Sequence, residues 1–235
     1  KKFIKEVHLV SSIEVAEITK IYENVYRSVN IGLVNEFKML CLKMSIDPFE
    51  VIRAAGTKPF GFSKFQPGPG IGGHCIPIDP FYLNWSAKQY GCKLQFIEVS
   101  DIINSSMPSY IISRVTLVLN QLKKSINGSK LLICGISYKK NIEDTREAPS
   151  IPIINKLKEL GADLYLYDPI VYDFSSEFLA IKIHKDLDKI KNIKIDASII
   201  LTNHDVLDIS LIKQISRKII DTRGDLRLDD QTIRG

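Results

Sequence analysis

The chain has 235 residues, 45% hydrophobic and 25% charged, enough apolar material for one large core or two smaller ones. Lys and Arg total 32 against 27 Asp and Glu, a net charge of +5 without a basic block, which indicates no nucleic-acid partner and suits a small anionic ligand. No apolar run reaches the length of a membrane span, and four cysteines without CxxC or CxxH spacing point away from a metal site or disulfide framework and toward a reducing, cytoplasmic setting.

The opening Lys1-Lys2-Phe3-Ile4 carries no initiator Met and reads as the middle of a strand or loop in a longer polypeptide. Ser11-Ser12-Ile13-Glu14 is a helix start, with hydroxyl caps and an early carboxylate. From Val15 to about Met44 there is no proline, and Ile18, Ile21, Val25, Val29, Leu33 and Phe37 recur at three- and four-residue steps. That pattern predicts one helix of about thirty residues, roughly 45 Å long. Ile46-Asp47-Pro48 starts a short second helix through Ala55. Residues 56–80 are too rich in glycine and proline for helix or strand. Two more helices follow, Phe81–Tyr90 and one from about Ile97, or from after Met107-Pro108, to Lys124.

Beyond Ser125-Ile126-Asn127-Gly128 the pattern changes. Strands are expected at Leu131–Gly135, Asp163–Tyr167, Ala197–Thr202 and Lys218–Asp221, with helices at Ile151–Leu160 and Ile209–Ile215. The alternation predicts an α/β fold overall: an all-helical domain with a long spine helix over 1–128, then a Rossmann-like domain with a mainly parallel sheet over 129–235.

Three segments carry chemistry. The glycine-rich stretch Gly68-Pro69-Gly70-Ile71-Gly72-Gly73-His74-Cys75 ends in a thiol, with Asp79 four residues on. Such a loop can bring backbone N–H groups to a ligand and a thiolate to a reacting carbon, or it can be a turn-rich connector with an incidental cysteine. His74 adjoins Cys75, but neighbours in sequence point apart. On the long helix Glu17, Lys20, Asn24 and Arg27 share a face, either a solvated stripe or part of a site, while Asn35-Glu36 interrupts an apolar stretch. Tyr138 to Ser150 joins a strand to a helix where open α/β sheets bind ligands; Lys139 and Arg146 are its candidate phosphate contacts or ordinary surface charges. No GxGxxG follows the strand at Leu131, so this half does not encode the usual dinucleotide site.

In order and spacing these segments resemble the UDP-glucose/GDP-mannose dehydrogenase family of nucleotide-sugar dehydrogenases. The likeness rests on Glu17, Lys20, Asn24, Arg27 and Asn35-Glu36, on PGPGIGGHCIPID from Pro67 to Asp79, on Tyr138-Lys139 through Asp144-Thr145-Arg146-Glu147, and on Asp221-Thr222-Arg223. It implies a central helical domain and a UDP-binding domain, without the family's N-terminal NAD-binding domain, and a homodimer paired through the spine helix. It further implies oxidation of a sugar C6 alcohol to a carboxylate with NAD as hydride acceptor. Cys75 would form a thiohemiacetal and then a thioester, Lys20 and Asn24 would stabilise oxyanions, and Asp79 would serve thioester hydrolysis. Phe65, Gly70, Gly72, Gly73, Tyr138, Lys139 and Arg223 would bind the UDP-sugar, and Arg146 would reach the cofactor. The loop version here, continuing to Asn84-Trp85, looks most like the UDP-N-acetylglucosamine branch, with UDP-N-acetylmannosamine a close competitor. A basic residue usual at Ile78 in the UDP-glucose branch is absent.

Overall fold

The computed structural model describes residues 6–171 and 183–235; the Lys1-Lys2-Phe3-Ile4 stretch lies outside them. Ser12 caps the spine helix, α1 (Ile13–Lys43), by accepting the Val15 N–H at 3.3 Å, and Glu14 complements the positive end of the helix dipole. The apolar recurrence that marks this helix does not mark its buried side. Asn24, Ser28, Gly32, Asn35 and Lys38 are buried, whereas Ile18, Tyr22, Tyr26, Leu33, Leu40 and Met44 are exposed. At 100° per residue those six exposed side chains fall within an arc of roughly 80°. Part of that buried side, Asn35 and Lys38, meets loop backbone, whose N–H and C=O groups need partners.

Asp47 caps α2 (Pro48–Ala55), accepting the Phe49 N–H at 3.1 Å, and Pro48 fills the first turn where its missing N–H is not needed. Helix α3 (Asp79–Gln89) starts two residues before the expected Phe81, because the Cys75 carbonyl already takes the Asp79 N–H at 2.8 Å. Helix α4 (Gln95–Gln121) begins earlier than either expected start and runs through Pro108. Pro108 deprives the Asn104 carbonyl of its helical donor, which a long helix packed on both sides tolerates. The first half of α4 packs on α1, with Gly32 admitting Ser100 so closely that an added Cβ would lie 3.1 Å from the serine Cβ.

The second half of α4 enters the α/β core. Strands β1 (Lys130–Cys134), β2 (Asp163–Tyr167), β3 (Ile183–His184), β4 (Ile195–Ile200), β5 (Ser216–Asp221) and β6 (Thr232–Arg234) form one sheet in the order β3-β2-β1-β4-β5-β6. Every described pairing is parallel, the doubly wound arrangement with its switch point between β1 and β4. Alternation along β1 sends Leu131 and Ile133 to a core with Ile111, Val115 and Leu119 of α4 and with Ile153, Ile154 and Leu157 of α5 (Ser150–Glu159). It sends Leu132 and Cys134 to the opposite core, under Ile212 and Ile215 of α6 (Ile209–Ile215). Strands β3 and β6 were not expected; at two and three residues they are too short to show a period of two. Expected strand starts at Ala197 and Lys218 fall two residues late, and Gly135, at φ +78°, ends β1 one residue early.

A buried ion pair fastens the two halves. Arg234 on β6 grips the Asp47 carboxylate with Nε at 3.1 Å and Nη2 at 2.9 Å, and its Nη1 reaches Asp221 at 2.7 Å. The same guanidinium lies 5.2 Å from the Phe49 ring centroid, and Phe49 fills the space a side chain on Gly224 would need.

Candidate active site

The glycine-rich loop lies between the spine helix and the α/β half, and its glycines answer to protein on both sides. Asn35 Oδ1 accepts the Gly68 N–H at 2.9 Å and Lys38 Nζ donates to the Gly68 carbonyl at 3.2 Å, so α1 holds both backbone polar groups of one residue. Asn35 is itself tied to Asn104 at 3.0 Å, and Asn104 to the Ser28 carbonyl at 3.1 Å. Across the loop, a Cβ on Gly72 would come within 2.7 Å of the Glu147 carbonyl, and one on Gly73 within 2.9 Å of the Tyr138 ring. Gly70 and Gly73 also have positive φ, +137° and +92°, which L side chains rarely adopt. The Gly73 N–H is taken by the Arg146 carbonyl at 3.3 Å. Close approach to the α/β half thus accounts for Gly72 and Gly73 before any ligand is considered.

Cys75 leaves this braced segment exposed, and its carbonyl begins α3, placing Asp79 one turn onward on the same side. The Asn24 amide donates a short hydrogen bond to Asp79 Oδ2, across 55 residues of sequence. Asn24 is fully buried, and its own oxygen accepts from Arg27 Nη1 at 2.7 Å. Arg27 and Lys20 share Glu23, at 3.2 and 3.0 Å, so Lys20 is turned along an exposed ion pair rather than toward Asn24 or Asp79. Phe65 is half-buried, edge-on to Tyr26 with ring centroids 5.6 Å apart.

On the α/β side, Tyr138 N–H donates to the Asp144 carbonyl at 3.0 Å, closing the 138–144 loop, and Lys139 is exposed. Arg146 is bidentate to Asp144, with Nε at 2.9 Å and Nη2 at 2.6 Å, and this contact pulls the Asp144 carboxyl down to about 2. Arg223 donates Nε to the Leu201 carbonyl at 2.6 Å, and its Nη1 is 2.7 Å from where a Gly68 Cβ would be. Burial lowers the Arg223 guanidinium to about 10. One region therefore collects Arg223, Tyr138, the Arg146 carbonyl and the glycine loop.

Sequence reasoning assigned no role to Lys38, Asn104 or the Asp168–His204 pair. Lys38 was marked only by its place one turn after Asn35, on the face of Asn24 and Ser28. His204 Nε2 lies 3.2 Å from Asp168 Oδ2, while Nδ1 accepts the Asn141 N–H at 2.9 Å, pinning the 138–146 loop to the ends of β2 and β4. Asp168 also accepts the Ile136 N–H at 2.7 Å. A carboxylate at the end of β2 thus ties down the turn that follows β1. A cavity of about 810 Å³ opens on the α4–α5 side of the loop, between Gly70, Ile78, Phe81, Pro108, Pro149 and Lys156; neither Cys75 nor Arg223 lines it.

A long helix, a parallel sheet in this strand order, and a thiol loop clamped between them define a class of known structures. The UDP-N-acetylmannosamine dehydrogenase of Pyrococcus horikoshii matches 97% of this chain and 52% of its own, with a TM-score of 0.84 and 28% identity. The UDP-N-acetyl-D-mannosamine dehydrogenase of Methanococcus maripaludis is 36% identical over 207 residues, 88% of this chain and 45% of its own length. The UDP-N-acetyl-D-glucosamine 6-dehydrogenase of Pseudomonas aeruginosa is 35% identical over 164 residues, 70% of this chain and 38% of its own. The chain belongs to the UDP-glucose/GDP-mannose dehydrogenase family, with residues 14–106 matching the central domain and 132–227 the UDP binding domain. It spans about half the length, or less, of these relatives.

Proposed function

We propose that the complete protein is a nucleotide-sugar 6-dehydrogenase that oxidises the C6 hydroxyl of a UDP-N-acetylhexosamine, UDP-N-acetylglucosamine in the first instance, to the carboxylate. The observation that carries this reading is the Asn24–Asp79 hydrogen bond beside an exposed thiol, on a loop whose other side is braced by Tyr138 and Arg223. Arg146, once released from Asp144, would reach NAD, which would supply the electron sink for two successive hydride losses from C6. The hydroxyl proton leaves as the first hydride departs, giving an aldehyde. Cys75 Sγ then bonds to the aldehyde carbon, and the resulting thiohemiacetal loses the second hydride and a proton to become a thioester. Water adds at that carbon, the C–S bond breaks, and the thiol is regenerated with the carboxylate.

Asn24 holds Asp79 in one orientation, so that the carboxylate orders the hydrolytic water and takes its proton. Lys20 serves as an oxyanion partner after exchanging Glu23 for substrate, which its exposed position permits. Phe65, Gly70, Gly72 and Gly73 border the sugar nucleotide, with Tyr138, Lys139 and Arg223 on its nucleotide side. UDP-N-acetylmannosamine is the second reading, favoured by the Methanococcus and Pyrococcus relatives. The exposed apolar stripe of α1 supports a homodimer paired along the spine helix. The test is NADH formation by the full-length protein with UDP-N-acetylglucosamine, UDP-N-acetylmannosamine and UDP-glucose. Cys75→Ser is expected to abolish carboxylate formation; full-rate turnover by that variant would remove the thioester route.

A further inference from the structure

Ser137, Asp168 and His204 are buried together where β1, β2 and β4 end, and none of them takes part in the proposed chemistry. A Ser–His–Asp cluster suggests a nucleophile with its base, but the contacts exclude that here. A relay needs the serine and the carboxylate on different ring nitrogens. Ser137 Oγ, at 3.3 Å, and Asp168 Oδ2, at 3.2 Å, both face His204 Nε2. The other nitrogen, Nδ1, is taken by the Asn141 N–H at 2.9 Å. A backbone N–H only donates and an ionised carboxylate only accepts, so the ring carries one proton, on Nε2. Ser137 fits that tautomer: its own proton goes to the Lys139 carbonyl at 2.9 Å, leaving its oxygen an acceptor toward Nε2.

Asn141 turns the 138–146 loop in the left-handed region, at φ +61°. Its side chain exchanges two hydrogen bonds with Asp205, which Lys140 also meets at 2.6 Å. Those contacts are solvent-exposed, where ion pairs and hydrogen bonds contribute little. His204 is the buried partner, and it joins the loop to the ends of β2 and β4. Three residues back from Asn141, the Tyr138 N–H closes the loop on the Asp144 carbonyl, and the Tyr138 ring lies against Gly73, two residues before Cys75.

We propose that His204 is a positioning residue for sugar-nucleotide binding, its Nδ1 holding the 138–146 loop so that Tyr138 and Lys139 stand beside the thiol loop. It touches no substrate, and its role rests on the UDP-sugar reading above. The experiment uses the full-length protein and two replacements that separate the ring's two functions: Asn offers an oxygen near the place of Nδ1, and Gln an amide N–H near that of Nε2. His204→Gln leaves the Asn141 N–H unpaired and should raise KM for the UDP-sugar about tenfold, with kcat within about twofold, in NADH assays. His204→Asn should keep KM within about threefold of wild type. Hydrogen exchange read by mass spectrometry should be faster across 138–146 in His204→Gln than in His204→Asn, with β1 and β4 equally protected in both. Equal KM values in the two variants, or a loss of kcat at unchanged KM, overturn the inference and leave the dehydrogenase reading standing. Nitrogen NMR of ring-labelled wild type decides whether or not either variant folds: a His204 proton on Nε2 upholds the inference, and one on Nδ1 overturns it. No turnover by the wild type with any of the three UDP-sugars named above overturns both.

Discussion

Replacing Arg234 with Ala should unfasten the two halves of the molecule. The guanidinium is 5% exposed and makes four hydrogen bonds: two to Asp47, one to Asp221 at 2.7 Å and one to the Leu226 carbonyl at 2.8 Å. Asp221, wholly buried, would keep three backbone donors but lose its cation, and Asp47 would lose the partner that offsets its burial. Breaking a buried pair by removing one member costs about 3–5 kcal/mol. In a chain of this size that corresponds to a fall in Tm of roughly 6–20 °C. The assay is urea and thermal unfolding of wild type, Arg234→Ala, Asp47→Ala and the double variant. Coupling above about 1 kcal/mol is expected, because Asp47 and Arg234 sit on opposite halves and meet only in the assembled fold. A change below about 1 kcal/mol in Arg234→Ala, or strict additivity with Asp47→Ala, would refute the latch.

Gly73→Ala forces a methyl group to within 2.9 Å of the Tyr138 ring at a φ of +92°; a loss of about 1–3 kcal/mol and a fall in turnover are expected by thermal melt and NADH assay. For Asp168, burial pushes the carboxyl up, but the His204 contact and the N–H groups of Ile136, Val171 and Ile170 outweigh it and hold it at about 2. A depressed carboxyl stabilises above its unfolded value near pH 4 and loses that contribution as pH falls toward 2. Wild type should therefore exceed Asp168→Asn by about 2 kcal/mol at neutral pH, with the gap closing across that acid window in urea titrations. Leu33→Glu places a charge in the middle of the exposed α1 stripe and should shift a dimer to monomer by sedimentation. A monomeric wild type at micromolar concentration would remove the spine-helix dimer.

Local pattern determined much of this protein. Caps marked the starts of α1 and α2, because Ser12 and Asp47 act on N–H groups within three residues of themselves. The thiol and Asp79 were legible together because four residues on a nascent helix share a side. Tertiary structure decided what no window could hold. The Asn24–Asp79 contact spans 55 residues and Arg234–Asp47 spans 187, and nothing in either neighbourhood names its partner. The two short edge strands exist through pairing with β2 and β5 rather than through any pattern of their own. The inverted spine helix shows the reason most plainly. The polar residues and Gly32 on its buried face meet partners from distant segments: the Gly68 backbone for Asn35 and Lys38, the Asp79 carboxylate for Asn24, and α4 for Ser28 and Gly32. Burial thus follows from the contact rather than from the hydrophobicity of the helix itself.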